Sequence, residues 1–283
     1  GGIIAPVIPP SIGFILFGVI GGVSISKLFM AGIFPGLMMG FALIVTWWIV
    51  ARKDQVEVAE KVPFKERISV TINAFWSYLL AIVIIGGMKM GVFTPTEAAA
   101  VSCLYAIIIG LFVERKLTLR ALPGIFVKAM RTSAIVCAII AVSAGFGILV
   151  AQEQIAIRFA TWMAQTIGEK WAALATLNIA FFLLAAVMDE IAIMVILGPM
   201  LIAIANRFGV DPIHFGAIIV TNVSIGMAAP PIGYCLFIGM AISGLSLARI
   251  SRAIWPQILW MLVVLFLITY VPGFALMFQP GAR

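Results

Sequence analysis

The sequence predicts an all-α, polytopic membrane protein, and three observations predict it. The first is composition. Of 283 residues, 64% are apolar and only 10% charged, with a mean hydropathy of +1.21. A soluble domain carries about 25% charged residues and could not cover its surface with so few. The second is that apolar runs recur along the whole chain, and a bilayer crossing needs roughly 20 such residues. The third is an internal repeat with matched helix breaks. It adds inverted repeats, discontinuous helices and a re-entrant hairpin to the expected fold.

In chain order, Pro9-Pro10 breaks the first apolar run, and a short apolar segment follows from Ser11 to Gly22. The polar interval Ser24-Ile25-Ser26-Lys27 leads to Pro35, and a crossing from Gly36 to Val50 ends at Arg52-Lys53. Residues 52–67 mix Arg52, Lys53, Lys61, Lys65 and Arg67 with Asp54, Glu57, Glu60 and Glu66. This is the pattern of an amphipathic helix lying on the membrane surface. The next crossing is expected from Asn73 to Met90. Thr94-Pro95-Thr96-Glu97 then has the residues of a capping box with Pro at the first helical position, starting a helix through Val113. A second basic stretch, 114–131, carries Arg115, Lys116, Arg120, Lys128 and Arg131. Apolar runs follow at 132–150, 155–167, 171–187 and 191–206. Asp211-Pro212 caps a further helix, which Pro230-Pro231 breaks, and a last crossing follows Pro256.

Stretches 52–67 and 114–131 are separated by two crossings, so they share a side, and their Lys/Arg content places that side in the cytoplasm. The net charge of +7 is thereby explained by topology, and no nucleic-acid partner is expected. Cys103, Cys137 and Cys235 lie in apolar runs without CxxC spacing and read as buried packing residues. The single His214 excludes a haem held by paired histidines and reads as a hydrogen-bonding residue at a helix start. No HExxH, P-loop or Ser/His/Asp arrangement is present. The expectation is a protein that is not an enzyme and draws energy from an ion gradient.

The repeat is the most informative feature. Pro9-Pro10-Ser11-Ile12-Gly13-Phe14 resembles Pro230-Pro231-Ile232-Gly233-Tyr234. Gly22-Val23-Ser24-Ile25-Ser26-Lys27 resembles Gly244-Leu245-Ser246-Leu247-Ala248-Arg249, and Phe34-Pro35 resembles Trp255-Pro256. Pro10 to Pro231 and Pro35 to Pro256 span the same 221 residues. The crossing after Pro35 runs toward a basic loop, whereas the one after Pro256 leaves the basic turn at Arg249 and Arg252, so the repeat is inverted. The expected organisation is residues 1–51 as the end of a first repeat, 52–131 as surface segment and linking helices, and 132–283 as the second repeat. The rest of the first repeat, roughly 130 or more residues, is expected upstream if the halves are alike.

A helix proline frees a backbone carbonyl, and irregular backbone at membrane depth must be buried in protein or line a cavity. Two matched breaks therefore point to use: freed carbonyls suit Na⁺, and half-helix amides suit carboxylates. Thr221, Asn222, Ser224 and Gly226 surround the second break; Asn222 and Ser224 add side-chain oxygens, and Gly226 allows close backbone approach. Asp189-Glu190 is an acidic pair between two apolar runs of marginal length, the expected arms of the re-entrant hairpin. Asp189 at its tip reads as a cation ligand, a lock of the hairpin, or part of an ordinary surface loop. Gly32, Gly36 and Gly40 have the spacing of a helix-packing face.

These motifs resemble the large membrane subunit of tripartite ATP-independent periplasmic (TRAP) transporters, over essentially the whole chain. The run from Gly2 to Ser11 resembles the family's glycine-rich entry into Ile-Pro-Pro-Ser, and Phe93 to Ala100 its Phe-Thr-Pro-Thr-Glu-Ala-Ala-Ala segment. Met188-Asp189, Pro199, Gly209 to Gly216, Asn222, Gly226 and Pro230 to Gly233 resemble its most specific block. Ala5 stands where the family commonly has a second glycine. The resemblance implies an elevator-type, Na⁺-coupled importer of carboxylates in the bacterial inner membrane. Its implied partners are membrane lipid, a small membrane subunit and a periplasmic binding protein that delivers the organic acid. Carried over by residue, Na⁺ would lie at Pro9, Pro10 and Ser11 in one break and at Asn222, Gly226 and Pro230 in the other. Ser11, Asp189 and Asn222 would meet the substrate. The competing readings are a divalent-anion symporter that works without a binding protein, and a membrane anchor that transports nothing.

Overall fold

The computed structural model describes residues 2–53 and 63–278. Among these residues the secondary structure is helical, with no β-strand. The first helices are α1 (Ile12–Gly21), α2 (Ile25–Lys53), α3 (Phe64–Asn73), α4 (Phe75–Lys89) and α5 (Pro95–Ile108), the last extended by a π-helical turn, Ile109–Val113. After them come α6 (Leu122–Gln152), α7 (Ile155–Ile167), α8 (Lys170–Ala185), α9 (Glu190–Arg207) and α10 (Pro212–Gly226). The chain ends in α11 (Tyr234–Ser243), α12 (Leu247–Tyr270) and the short α13 (Pro272–Leu276). Five helices among the described residues are long and apolar enough to cross a membrane, or seven if two bent pairs each count as one span. Most of the expected amphipathic segment falls on residues 54–62, outside the described ones.

The chain divides into two compact units, residues 1–53 with 138–283, and residues 54–137. In the second unit the capping box forms as expected: Glu97 N donates to Thr94 Oγ1 at 3.3 Å, and Thr94 N donates to Glu97 Oε2 at 2.8 Å. The Tyr105 hydroxyl donates to the Trp76 carbonyl at 2.8 Å and ties α5 to α4. Cys103 and Cys137 are exposed rather than buried, because α5 and α6 have little packed against them: among their described residues only Ala98 and Val150 are buried. Those helices are apolar nearly all round, so an apolar run does not reveal which face is covered. α6 also begins ten residues before the apolar run that announced it, taking Lys128 and Arg131 into its first turns.

In the first unit α10 is the central post. Every residue from His214 to Gly226 is buried, with α8, α12, α2, α1 and α9 packed around it. A helix without a polar face belongs in such a position. The two copies of the repeat fold alike. α1 and α11 have ten residues each and end on left-handed glycines, Gly22 at φ 63° and Gly244 at φ 67°. Pro9-Pro10 and Pro230-Pro231 are both cis. Pro35 and Pro256 behave differently from the expectation, since neither starts a crossing. α2 already begins at Ile25 and α12 at Leu247, and each continues through its proline. Lys27 N donates to Ser24 Oγ at 3.4 Å, so the polar interval is the helix cap and not a loop.

Candidate functional site

The first break is a turn over residues 2–10 that delivers the chain to Ser11, the N-cap of α1. Phe14 N donates to Ser11 Oγ at 3.3 Å, and the Ser11 hydroxyl donates to the Pro6 carbonyl. Ser11 is thus buried and engaged within its own turn. The second break is the turn between α10 and α11. Cys235 N donates to the Met227 carbonyl at 3.0 Å, and Gly233 N to the Ala229 carbonyl at 3.1 Å. Gly233 has no room for a side chain: a Cβ there would stand 2.5 Å from the Ala229 carbonyl oxygen.

The two breaks meet. The Ser224 hydroxyl, on the last turn of α10, donates to the Ile3 carbonyl in the first break. Cys235 Sγ lies 3.8 Å from where a side chain on Gly2 would begin. Beside this junction a recess of about 420 Å³ is lined by Gly2, Ile3, Ala228, Cys235, Leu43 and Gln257 among others. The glycines expected to form a packing face do so at Gly32 and Gly36. A Cβ on Gly32 would lie 2.5 Å from the Val7 carbonyl oxygen and one on Gly36 2.4 Å from Ile8 Cγ1, so α2 presses against the first break.

The predicted turn between hairpin arms falls at residues 186–189, between α8 and α9, and it touches the second break, while the start of α9 packs on α1 just after the first. α8 runs beside α10: Asn222 bonds Asn178, and a Cβ on Gly226 would stand 2.4 Å from Ala185 Cβ. At the end of α8 the Ala186 carbonyl accepts from Ile232 N at 3.2 Å, inside the second break. α9 runs beside α1, with Glu190 against Gly13 and Gly198 against Ile20. The close approach at Gly226 is made by α8.

The acidic pair separates into two roles. Asp189 is exposed and caps α9, accepting from Ile191 N at 2.9 Å. Glu190 is only 7% exposed, and its Oε1 has no hydrogen-bond partner. That oxygen lies 2.0 Å from where a Cβ on Gly13 would be, directly over the first turn of α1. The spacing of the pair could not show which acid turns inward; the contact of α9 with α1 decides it.

Asn222 is fully buried. Its Nδ2 donates to the Asn178 carbonyl at 2.8 Å and to Asn178 Oδ1 at 3.0 Å. Asn178 Nδ2 donates to Thr269 Oγ1 at 2.8 Å, and Thr269 Oγ1 donates to the Leu265 carbonyl at 2.8 Å. Asn222 Oδ1 and Thr221 Oγ1 remain buried without partners. Asn178 and Thr269 were not apparent from the sequence, where each is one uncharged polar residue within an apolar stretch of its helix. His214 is the hydrogen-bonding residue expected at a helix start, and it is also a tether, its Nε2 lying 2.8 Å from the Ile268 carbonyl on α12. The start of α10 is capped by Asp211 Oδ1, which accepts from Ile213 N at 2.9 Å and His214 N at 3.0 Å. Among the described residues no cluster of three or more His, Cys, Asp or Glu could hold a metal. Any cation here would meet carbonyl, amide and hydroxyl oxygens and a single buried carboxylate.

Over residues 1–274 the chain matches the family described as "Tripartite ATP-independent periplasmic transporter, DctM component". It is 36% identical to the C4-dicarboxylate TRAP transporter large permease protein of Rhodobacter capsulatus over 289 residues, covering 97% of this chain and 66% of that one. It is 34% identical to the 2,3-diketo-L-gulonate TRAP transporter large permease protein of Escherichia coli over 272 residues, 96% of this chain and 64% of that one. The sialic acid TRAP transporter permease protein of Haemophilus influenzae is 35% identical over 270 residues, covering 95% of this chain and 44% of the relative. The chain thus spans less than two thirds of the length of the relatives it matches.

Proposed function

The chain belongs to the DctM component family of tripartite ATP-independent periplasmic transporters, and from that premise we propose that it works in a Na⁺-coupled importer of small organic acids. A periplasmic binding protein delivers the substrate, a small membrane subunit accompanies this one, and the assembly lies in the bacterial inner membrane. The relatives named for C4-dicarboxylates, 2,3-diketo-L-gulonate and sialic acid support a carboxylate as the substrate class.

One observation carries the ion site: two double-proline breaks on separate copies of a repeat converge at the Ser224–Ile3 bond, beside a hairpin whose α8 end bonds the second break and whose α9 start packs on α1 after the first. Broken helices give backbone carbonyls to Na⁺ and half-helix amides to carboxylates. Na⁺ is assigned to the backbone around Pro9, Pro10 and Ser11, and to Asn222, Gly226 and Pro230 on the other side. The free Asn222 Oδ1 supports that second position. Movement is of the elevator type, with the first unit's broken helices and hairpin carrying the substrate. An anchor without transport has no use for two convergent breaks, whose freed backbone must be satisfied somewhere.

The test is reconstitution of the complete transporter in proteoliposomes. Organic-acid uptake is expected to need both an inward Na⁺ gradient and the loaded binding protein. Uptake indifferent to both would end this reading, and Na⁺-driven uptake without the binding protein would favour the divalent-anion symporter instead.

A further inference from the structure

We infer that Asn178 and Thr269 are positioning residues that aim the oxygen of Asn222 at the coupling cation. The inference deepens the function proposed above and rests on Asn222 being an ion ligand. Its own content is the direction of polarity along one hydrogen-bond chain.

A hydroxyl has one proton to give, and Thr269 gives it to the Leu265 carbonyl, 2.8 Å away. Toward every other neighbour the Thr269 oxygen can only accept, and it accepts from Asn178 Nδ2 at 2.8 Å. That contact fixes the Asn178 carboxamide, with nitrogen toward α12 and oxygen toward α10. The oxygen accepts from Asn222 Nδ2 at 3.0 Å, and the Asn178 backbone carbonyl, which can only accept, takes the other proton of the same nitrogen at 2.8 Å. Each group therefore dictates the next. The series ends at Asn222 Oδ1, which is buried and meets no donor.

A buried oxygen left without a partner is costly, and the cost is recovered when a donor or a positive ion arrives. A carboxamide free to turn could face a cation with either end, but only the oxygen can bind it. The Thr269–Asn178 pair removes that freedom before the ion comes. Preorganisation of this kind raises affinity by lowering the cost of ordering the site. The relay lies where α8 packs on α10, one turn ahead of Gly226 and the second break, so it belongs to the scaffold and needs no contact with the ion itself.

The experiment measures Na⁺ activation of organic-acid uptake by the complete transporter in proteoliposomes with its binding protein. Na⁺-dependent thermal stabilisation of the purified complex is a second readout, independent of turnover. Asn222→Ala and Asn178→Ala are each expected to raise the Na⁺ concentration for half-maximal uptake about tenfold, the size of one lost hydrogen bond to a charged group. Asn178→Ala should leave the rate at saturating Na⁺ near that of the parent. Thr269→Val should shift the Na⁺ midpoint by roughly half that factor on the same scale, while Thr269→Ser, which keeps the hydroxyl, restores it. The double variant Asn178→Ala/Asn222→Ala should match Asn222→Ala alone, because the relay acts only through Asn222.

The two proposals fail differently. An unchanged Na⁺ midpoint in Asn222→Ala removes Asn222 as an ion ligand and the relay with it. A shifted midpoint in Asn222→Ala beside unshifted midpoints in Asn178→Ala and Thr269→Val overturns the relay alone. So does a lowered melting temperature or maximal rate in Asn178→Ala without any Na⁺ shift. Should Asn178→Ala not fold, Thr269→Val with its serine control decides the question.

Discussion

At the scale of single residues, the contact between Gly13 and Glu190 makes the sharpest prediction. A Cβ on Gly13 would stand 2.0 Å from Glu190 Oε1, so Gly13→Ala must displace the carboxylate or part α1 from α9. Overpacking of this kind costs typically about 1–3 kcal/mol, and thermal melting of the purified transporter should fall accordingly. Gly147→Ala is the control. It lies in α6 with nothing within 4 Å of the added carbon, and should be neutral or gain about 0.4–1 kcal/mol. Adding Glu190→Ala to Gly13→Ala should recover part of the loss, since the two residues share one space. Glu190→Gln keeps the shape and cannot take up a charge, which would be expensive to bury there, so its melting temperature at neutral pH should equal or exceed that of the parent. A clear drop would show that the charged form is held by something this contact does not reveal. Ser11 and Asn222 were legible in the sequence as polar residues beside breaks. Glu190, Asn178 and Thr269 were not. Their meaning lies in the partner across a helix interface, and adjacent positions such as Asp189 and Glu190 differ only in which face of α9 they occupy.

At the scale of elements, α8 and α10 depend on the absence of a side chain at Gly226. A Cβ there would be 2.4 Å from Ala185 Cβ and 3.0 Å from the Phe182 carbonyl oxygen. Gly226→Val should therefore drive α8 off α10, with a melting-temperature loss corresponding to about 1–3 kcal/mol and weaker Na⁺ activation of uptake. A melting-temperature loss with an unchanged Na⁺ midpoint would remove Gly226 from the proposed ion site and leave it a packing residue alone. The sequence showed helix starts well wherever the signal is local. The Thr94–Glu97 capping box and the Asp211 cap form as written, because a cap is made within one turn. It misled where a proline stands in an apolar run. Pro35 and Pro256 looked like starts, yet α2 and α12 run through them, since packing against neighbouring helices outweighs one missing backbone bond. The reach of α6 back to Leu122 was hidden for a related reason: basic residues are compatible with the first turns of a membrane helix when their ends reach the interface.

At the scale of the whole molecule, charge fixes the orientation expected of the chain. A single cysteine placed at Lys116, with the native cysteines replaced, should react with a membrane-impermeant maleimide only in inside-out vesicles. One at Val92, in the turn after α4, should react from the outside of intact cells. Equal reactivity of both from one side would reverse the charge-based topology and with it the inverted relation of the repeats. The repeat was legible because prolines, glycines and caps keep their places when the surrounding apolar residues vary. The convergence of its two breaks was not, since no local signal brings Ile3 to Ser224. The α8–α9 pair spans the two copies, α8 lying beside α10 and α9 beside α1. One hairpin thus packs on both copies. A ligand that shifts it at one copy would change the fit at the other, and thermodynamic reciprocity would then demand an equal influence in return. Occupants of the two breaks would bind as a cooperative set, each tightening its neighbour's hold without touching it.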